Sequence, residues 1–153
     1  MLFRSTTKSN LITRDLDLLR RIAAQNDLSI NITVTTLRPR LARLLEPRAP
    51  RPDLRLQAVR ALRDAGLAAG VFAMPVLPGL TDREADLDAL ARAARDAGAQ
   101  WFAANVLFLM PSAQKQFLPF LEEKFPGWPG NTAGGTPARA TLRKPIAARS
   151  PSA

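Results

Sequence analysis

Four residues occur twice in this chain, letter for letter: Arg63-Asp64-Ala65-Gly66 and Arg95-Asp96-Ala97-Gly98, with the two stop glycines 32 residues apart. That spacing is the size of one βα unit. Before the first copy, Leu56, Val59 and Leu62 recur at helical period; before the second, Leu87, Leu90 and Ala94 do the same. After each copy comes an apolar segment suited to a buried strand, about residues 68–74 and 101–109, closed by Pro75 and by Met110-Pro111. Two consecutive units of this kind predict a parallel sheet with right-handed crossovers.

The rest of the chain extends the pattern in both directions. Residues 2–7 read as a strand. A helix follows, capped by Thr13, with Asp15 and Asp17 in its first turn and Leu18, Leu19, Ile22 and Ala23 on its apolar stripe. Ser29 to Thr35 alternates polar and β-branched residues, as a strand does. Residues 37–45 read as a short basic helix or turn, and residues 46–52 as a loop stiffened by Pro47, Pro50 and Pro52. Residues 112–124 read as a last helix, with Phe117, Phe120 and Phe125 as core. The fold class is therefore α/β, with about four parallel strands alternating with helices. Four strands are too few to close a barrel of eight. They form an open sheet or part of a barrel. The chain also begins almost inside its first strand, as a truncated domain would.

The stretch from Gly70 to Asp82 is where a site is expected. Gly70 to Met74 is small or apolar and runs into the turn Pro75-Val76-Leu77-Pro78-Gly79. Thr81 and Glu84 have the spacing of a capping box for the next helix. In parallel α/β folds, ligands sit beyond the carboxyl ends of strands, where such turns lie.

Composition excludes several chemistries. The 153 residues include no cysteine and no histidine, so a disulfide, a Cys-based metal site and a His base or ligand are all ruled out. No run approaches the roughly 20 apolar residues of a membrane span. Met1-Leu2-Phe3-Arg4 does not open a signal peptide, so a cytoplasmic protein is expected. The net charge is +9, of which Arg139, Arg143, Lys144 and Arg149 supply +4 after Phe125, in a Pro-, Gly- and Ala-rich stretch without acids. Residues 127–153 read as a disordered basic tail, and residues 1–126 as the folded domain.

Several segments, in order, resemble the radical S-adenosylmethionine (radical SAM) superfamily, in the branch related to spore photoproduct lyase. Residues 6–19, Thr-Thr-Lys-Ser-Asn-Leu-Ile-Thr-Arg-Asp-Leu-Asp-Leu-Leu, look like that branch's third strand and helix. Ile30 to Leu37 resembles its fourth strand, Leu45-Glu46-Pro47-Arg48-Ala49-Pro50 its characteristic loop, and Pro75 to Asp82 its fifth strand and turn. The resemblance covers roughly residues 2–126. It implies the C-terminal half of a partial (βα)6 TIM-like barrel. It also implies a parent lyase chemistry: reductive cleavage of S-adenosylmethionine to a 5′-deoxyadenosyl radical at a [4Fe–4S] cluster, on an unknown substrate. The family holds its cluster with a C-x3-C-x2-C loop after the first strand. This chain has no cysteine, and a cluster needs thiolates. The expectation is a fragment, inactive alone, whose cluster ligands lie on another stretch or on a complementary chain.

The resemblance implies no catalytic or metal-binding residue here, but it does imply cofactor contacts. Lys8 sits at a strand end, where an ammonium can meet a carboxylate or phosphate; in the family such a lysine approaches the cofactor. Asn31 and Thr33, on the fourth-strand segment, would point into a barrel and could hold ribose or the methionyl group. Met74, Pro75 and Gly79 would form an adenine shelf, with Gly79 permitting close backbone approach. Asp82 stands where many members have a Glu. Glu46 and Arg48, flanking Pro47, can bind polar ligand groups or brace the loop. Phe108 and Met110 read as core at the end of the last strand. A second function class stays open: a non-catalytic module binding nucleic acid or a protein partner, suggested by charge alone. Aromatic residues are only 6% and no binding motif is visible, so salt-dependent gel shifts would be needed to support it.

Overall fold

Each strand is followed by a helix, and the helices after the first three strands pack on the sheet. The computed structural model describes residues 1–127; the basic tail predicted over residues 127–153 lies, after Gly127, outside them. In chain order the elements are β1 (Leu2–Thr7), a 3₁₀ helix (Asn10–Asp15), α1 (Leu16–Gln25), β2 (Asp27–Thr33), α2 (Pro39–Leu45), α3 (Pro52–Asp64), β3 (Ala68–Val76), α4 (Glu84–Asp96), β4 (Phe102–Val106) and α5 (Pro111–Lys124). The strands lie in the order β1-β2-β3-β4, and every neighbouring pair is parallel. This is the expected α/β sheet of βα repeats, consistent with a partial βα barrel.

Alternation along the strands decides what faces the helices. Ile30, Ile32 and Val34, with Ala69, Val71 and Ala73, pack under Val59 and Leu62 of α3 and Leu90 and Ala94 of α4. These side chains are buried, and each large one contributes roughly 1.5–3 kcal/mol by leaving water. The opposite face carries Asn31 and Thr33 of β2, Gly70, Phe72 and Met74 of β3, and Trp101 just before β4. β1 is an edge strand: Leu2 is 56% and Phe3 40% exposed.

Both Arg-Asp-Ala-Gly copies end their helices as the sequence requires. Gly66 and Gly98 have φ of 79° and 81°, the left-handed region that glycine enters without steric cost.

Several local expectations shift. Ser9, not Thr13, opens the segment after β1: its Oγ accepts the Leu11 N–H at 3.1 Å, while the Thr13 hydroxyl donates to the Asn10 carbonyl at 3.0 Å. The Thr81–Glu84 capping box does not form. α4 begins at Glu84 without a side-chain cap, and the buried Thr81 Oγ1 instead accepts the Leu77 N–H at 2.8 Å. Satisfying a buried N–H in the turn outweighs capping an exposed helix end. The strand predicted over 101–109 ends at Val106, and Phe108 (83% exposed) and Met110 (58%) are surface, not core. Among the described residues no strand lies beyond β4 to cover them. The rings of Phe117, Phe120 and Phe125 do meet, with centroids 5.8 Å apart for Phe117–Phe120 and 6.4 Å for Phe120–Phe125, but all three are half-buried rather than core, and Leu121 is the buried residue of α5.

Candidate functional site

The carboxyl ends of β1 and β2 bring two cations to one carboxylate. The proline-stiffened loop after α2 delivers Glu46, whose side chain is 11% exposed. Lys8, one residue past β1, places its Nζ 3.0 Å from Glu46 Oε1. The Thr35 hydroxyl donates to the same oxygen at 2.8 Å. Arg55 of α3 reaches the other oxygen with Nη1 at 2.5 Å and also donates to the Thr33 carbonyl at 3.0 Å and, from Nε, to the Pro50 carbonyl at 2.8 Å. Burial pushes the Glu46 carboxyl up, but the hydrogen bonds from Lys8, Thr35 and Arg55, with the charge of Arg55, outweigh it. The group titrates below its ordinary value. Two cations against one anion leave this three-residue group net positive. Arg55 is 1% exposed, and its Nη2 has no hydrogen-bond partner.

The turn after β3 is closed by its own hydrogen bonds. Leu80 and Thr81 donate their N–H groups to the Leu77 carbonyl at 3.0 and 2.9 Å. Gly79, with φ of 74°, donates to Asp82 Oδ1 at 2.9 Å. Arg38, ahead of α2, donates to the Leu80 carbonyl and lies 3.4 Å from Asp86 Oδ2 on α4. It ties the turn after β3 to the loop after β2. The Met74–Pro75 peptide is cis, and the β3–β4 register shifts between Ala73 and Val76.

Below these ends, one polar bar crosses the face opposite α3 and α4. Asn31 Nδ2 donates to the Ser5 carbonyl of β1 at 3.2 Å, and Trp101 Nε1 donates to Asn31 Oδ1 at 2.9 Å. The indole lies against Gly70 so closely that a Cβ there would stand 2.3 Å from Trp101 Nε1. Only glycine fits.

The predicted residues are thus distributed over three levels. Lys8 and Glu46 meet at the strand ends. Thr33 is buried two residues above Asn31, and its carbonyl is bound to Arg55. Met74 and Pro75 are half-buried on β3. Gly79 and Asp82 are exposed and engaged with each other. Asn31 is 4% exposed and satisfied by protein groups. Arg48 is exposed and does not pair with Glu46. Sequence reading missed Arg55, Thr35 and Arg38. The first had a signal: Arg55 stands four residues before Val59 and seven before Leu62, on the apolar stripe of α3, where a charge needs a buried partner.

The Radical SAM superfamily profile matches residues 2–92. The chain belongs to the radical SAM superfamily. It is 36% identical over 120 residues to an uncharacterized protein of Mycobacterium tuberculosis, a match covering 78% of this chain and 35% of that protein. An uncharacterized protein of Acidianus two-tailed virus is 35% identical over 99 residues, 63% of this chain and 32% of the viral protein. One from Methanocaldococcus jannaschii is 30% identical over 78 residues, 51% of this chain and 29% of its own length. The chain therefore spans about a third of the length of the curated relatives it matches. Radical SAM proteins use S-adenosylmethionine and an iron–sulfur cluster. The donor set here does not fit the cluster, because the chain has no cysteine. It does fit an anionic group at the Lys8–Arg55 end. Among the described residues no cluster of acids suits a metal ion, and no helix is long and apolar enough to cross a membrane.

Proposed function

We propose that this chain supplies the S-adenosylmethionine cradle of a radical SAM lyase of the spore photoproduct lyase-related branch, and that the cluster ligands come from polypeptide beyond it. The observation that carries this reading is the net positive Lys8–Glu46–Arg55 group at the carboxyl ends of β1 and β2, with half-buried Met74 and Pro75 at the carboxyl end of β3. Lys8 receives the cofactor's carboxylate, leaving Glu46 to the Arg55 guanidinium. Thr33 faces the ribose. Met74, Pro75 and Gly79 shelve the adenine, and Asp82 keeps the Gly79 turn in shape. When bound elsewhere in the assembly, the [4Fe–4S] cluster supplies the electron for cofactor cleavage. The chain's own residues bind, orient and exclude water. The unpaired edge of β1 is where the preceding βα units add, since an open edge presents unpaired N–H and C=O groups. Alone, the chain is inactive.

Equilibrium dialysis of S-adenosylhomocysteine tests this. The full chain, mixed with a polypeptide carrying the first two βα units and the cysteine loop, should bind it, and Lys8→Ala should weaken binding about tenfold, as expected for losing one charge-assisted contact. After iron–sulfur reconstitution the chain alone should hold no stoichiometric iron or sulfide. Ligand binding indifferent to Lys8, or a stable cluster on the chain alone, would overturn the reading.

A further inference from the structure

A groove of about 500 Å³ lies outside the cofactor face, between α2 and the segment that opens α3. Its walls are apolar: Pro39, Ala42, Leu44, Ala49 and Pro52. Leu44 is 44% exposed there. Guanidinium groups ring it. Arg40, Arg43 and Arg51 line it, and Arg48 stands in the same loop. Only Arg51 is neutralised, by Asp53 at 2.6 Å. Arg43 gives one N–H to the Pro47 carbonyl at 3.0 Å and keeps its charge. Arg40 and Arg48 have no hydrogen bond or ion pair among the described residues. No carboxylate lines the groove, because Glu46 is turned to Lys8 and Arg55.

An apolar trough lined by two uncompensated cations, with Arg48 a third in the adjoining loop, selects its occupant. Single-stranded nucleic acid is held by aromatic stacking platforms, and no aromatic side chain lines these walls. A phosphate backbone would satisfy the arginines and leave the trough facing a hydrated polymer. A peptide with an apolar side chain between carboxylates satisfies both. We propose that this groove docks an acidic segment of a partner protein, an apolar residue seated between Pro39, Leu44 and Ala49 with flanking Asp or Glu on Arg40, Arg43 and Arg48. The contact does not use the cofactor residues, so it stands or falls separately from them.

The test pans a random peptide library on the full chain. The enriched consensus is then titrated as a fluorescein-labelled peptide by anisotropy, with a single-stranded oligonucleotide as the parallel probe. The expected consensus is Leu, Ile or Phe flanked by Asp or Glu, with affinity that falls as salt rises. Arg40→Glu/Arg48→Glu and, separately, Leu44→Asp should each weaken it about tenfold, as truncating interface anchors does. These side chains are exposed, and unchanged circular dichroism melting verifies the fold. A failure to enrich peptides, a consensus without acids, a peptide unmoved by the variants, or displacement of the peptide by the oligonucleotide would each overturn the proposal.

Discussion

The two Arg-Asp-Ala-Gly units share their backbone and differ in what their side chains do. In both, the same three hydrogen bonds close the helix: Ala65 to Ala61, Gly66 to Arg63 and Leu67 to Leu62 in the first, and Ala97 to Ala93, Gly98 to Arg95 and Ala99 to Ala94 in the second. Yet Arg63 crosses to the next unit, donating to the Gly98 carbonyl at 3.0 Å, whereas Arg95 pairs only with its neighbour Asp96. Arg60 likewise reaches the Asp96 carbonyl at 3.0 Å, while its counterpart Arg92 stays on its own helix with Asp88. The position matching Arg55 is Leu87. Identical letters fix the turn; position in the stack fixes the partners.

The largest expected break comes from making the first unit resemble the second at that position. Arg55→Leu should destabilise the fold by about 3–5 kcal/mol, because Glu46 remains buried with one cation fewer. Urea denaturation reads this, and adding Glu46→Leu should recover a large part of the loss. A double variant no more stable than the single one would show that Arg55 acts through Thr33 and Pro50 alone. The same carboxylate gives the first unit an acid limb. Its folded pKa is lowered, so its contribution is complete above the unfolded value of about 4.3 and is lost as pH falls from there through the folded value. Thermal melts from neutral to acid pH should therefore steepen below about pH 4.3 in the wild type and flatten in Glu46→Gln.

Next come the glycines. Gly66→Ala and Gly98→Ala should each cost about 1–2 kcal/mol, the strain of an L-residue in the left-handed region. Equal losses would make the turns interchangeable; an unequal pair would place a long-range term in one of them. The smallest contrast is Arg63→Met against Arg95→Met. The first forfeits bonds to the Gly98 and Leu67 carbonyls and should cost about 1 kcal/mol. The second removes a surface pair and should cost less than about 0.5 kcal/mol. Comparable melting temperatures for the two would refute the cross-unit role of Arg63.

What was legible in the sequence was local. The glycine stops, the stripe of Leu56, Val59 and Leu62 and the proline-closed strands set the helices and the parallel sheet, because each depends on residues within one or two turns. Thr81 was misread because a Thr three residues before a Glu fits a capping box as well as a turn, and only burial decides between them. Phe108 was misread because an apolar residue beside a strand is core only when another element covers it. At the site, Lys8 and Glu46 were picked out singly, but their meeting depends on two strands and a loop 38 residues apart in sequence. Arg55 was legible as a charge on the apolar stripe of α3, but its partners, Glu46 and the Thr33 and Pro50 carbonyls, come from other segments and are set only by the fold.

The Asn31–Trp101 bar over Gly70 sets a depth. Thr33 lies two residues above Asn31, and a strand rises about 3.3 Å per residue, so the level of Thr33 stands roughly 7 Å above the bar. Phe72, opposite Thr33 in register, shares that level of the face. Because Asn31 and Trp101 hold each other and β1, the polar atoms of the bar are already spent within the sheet.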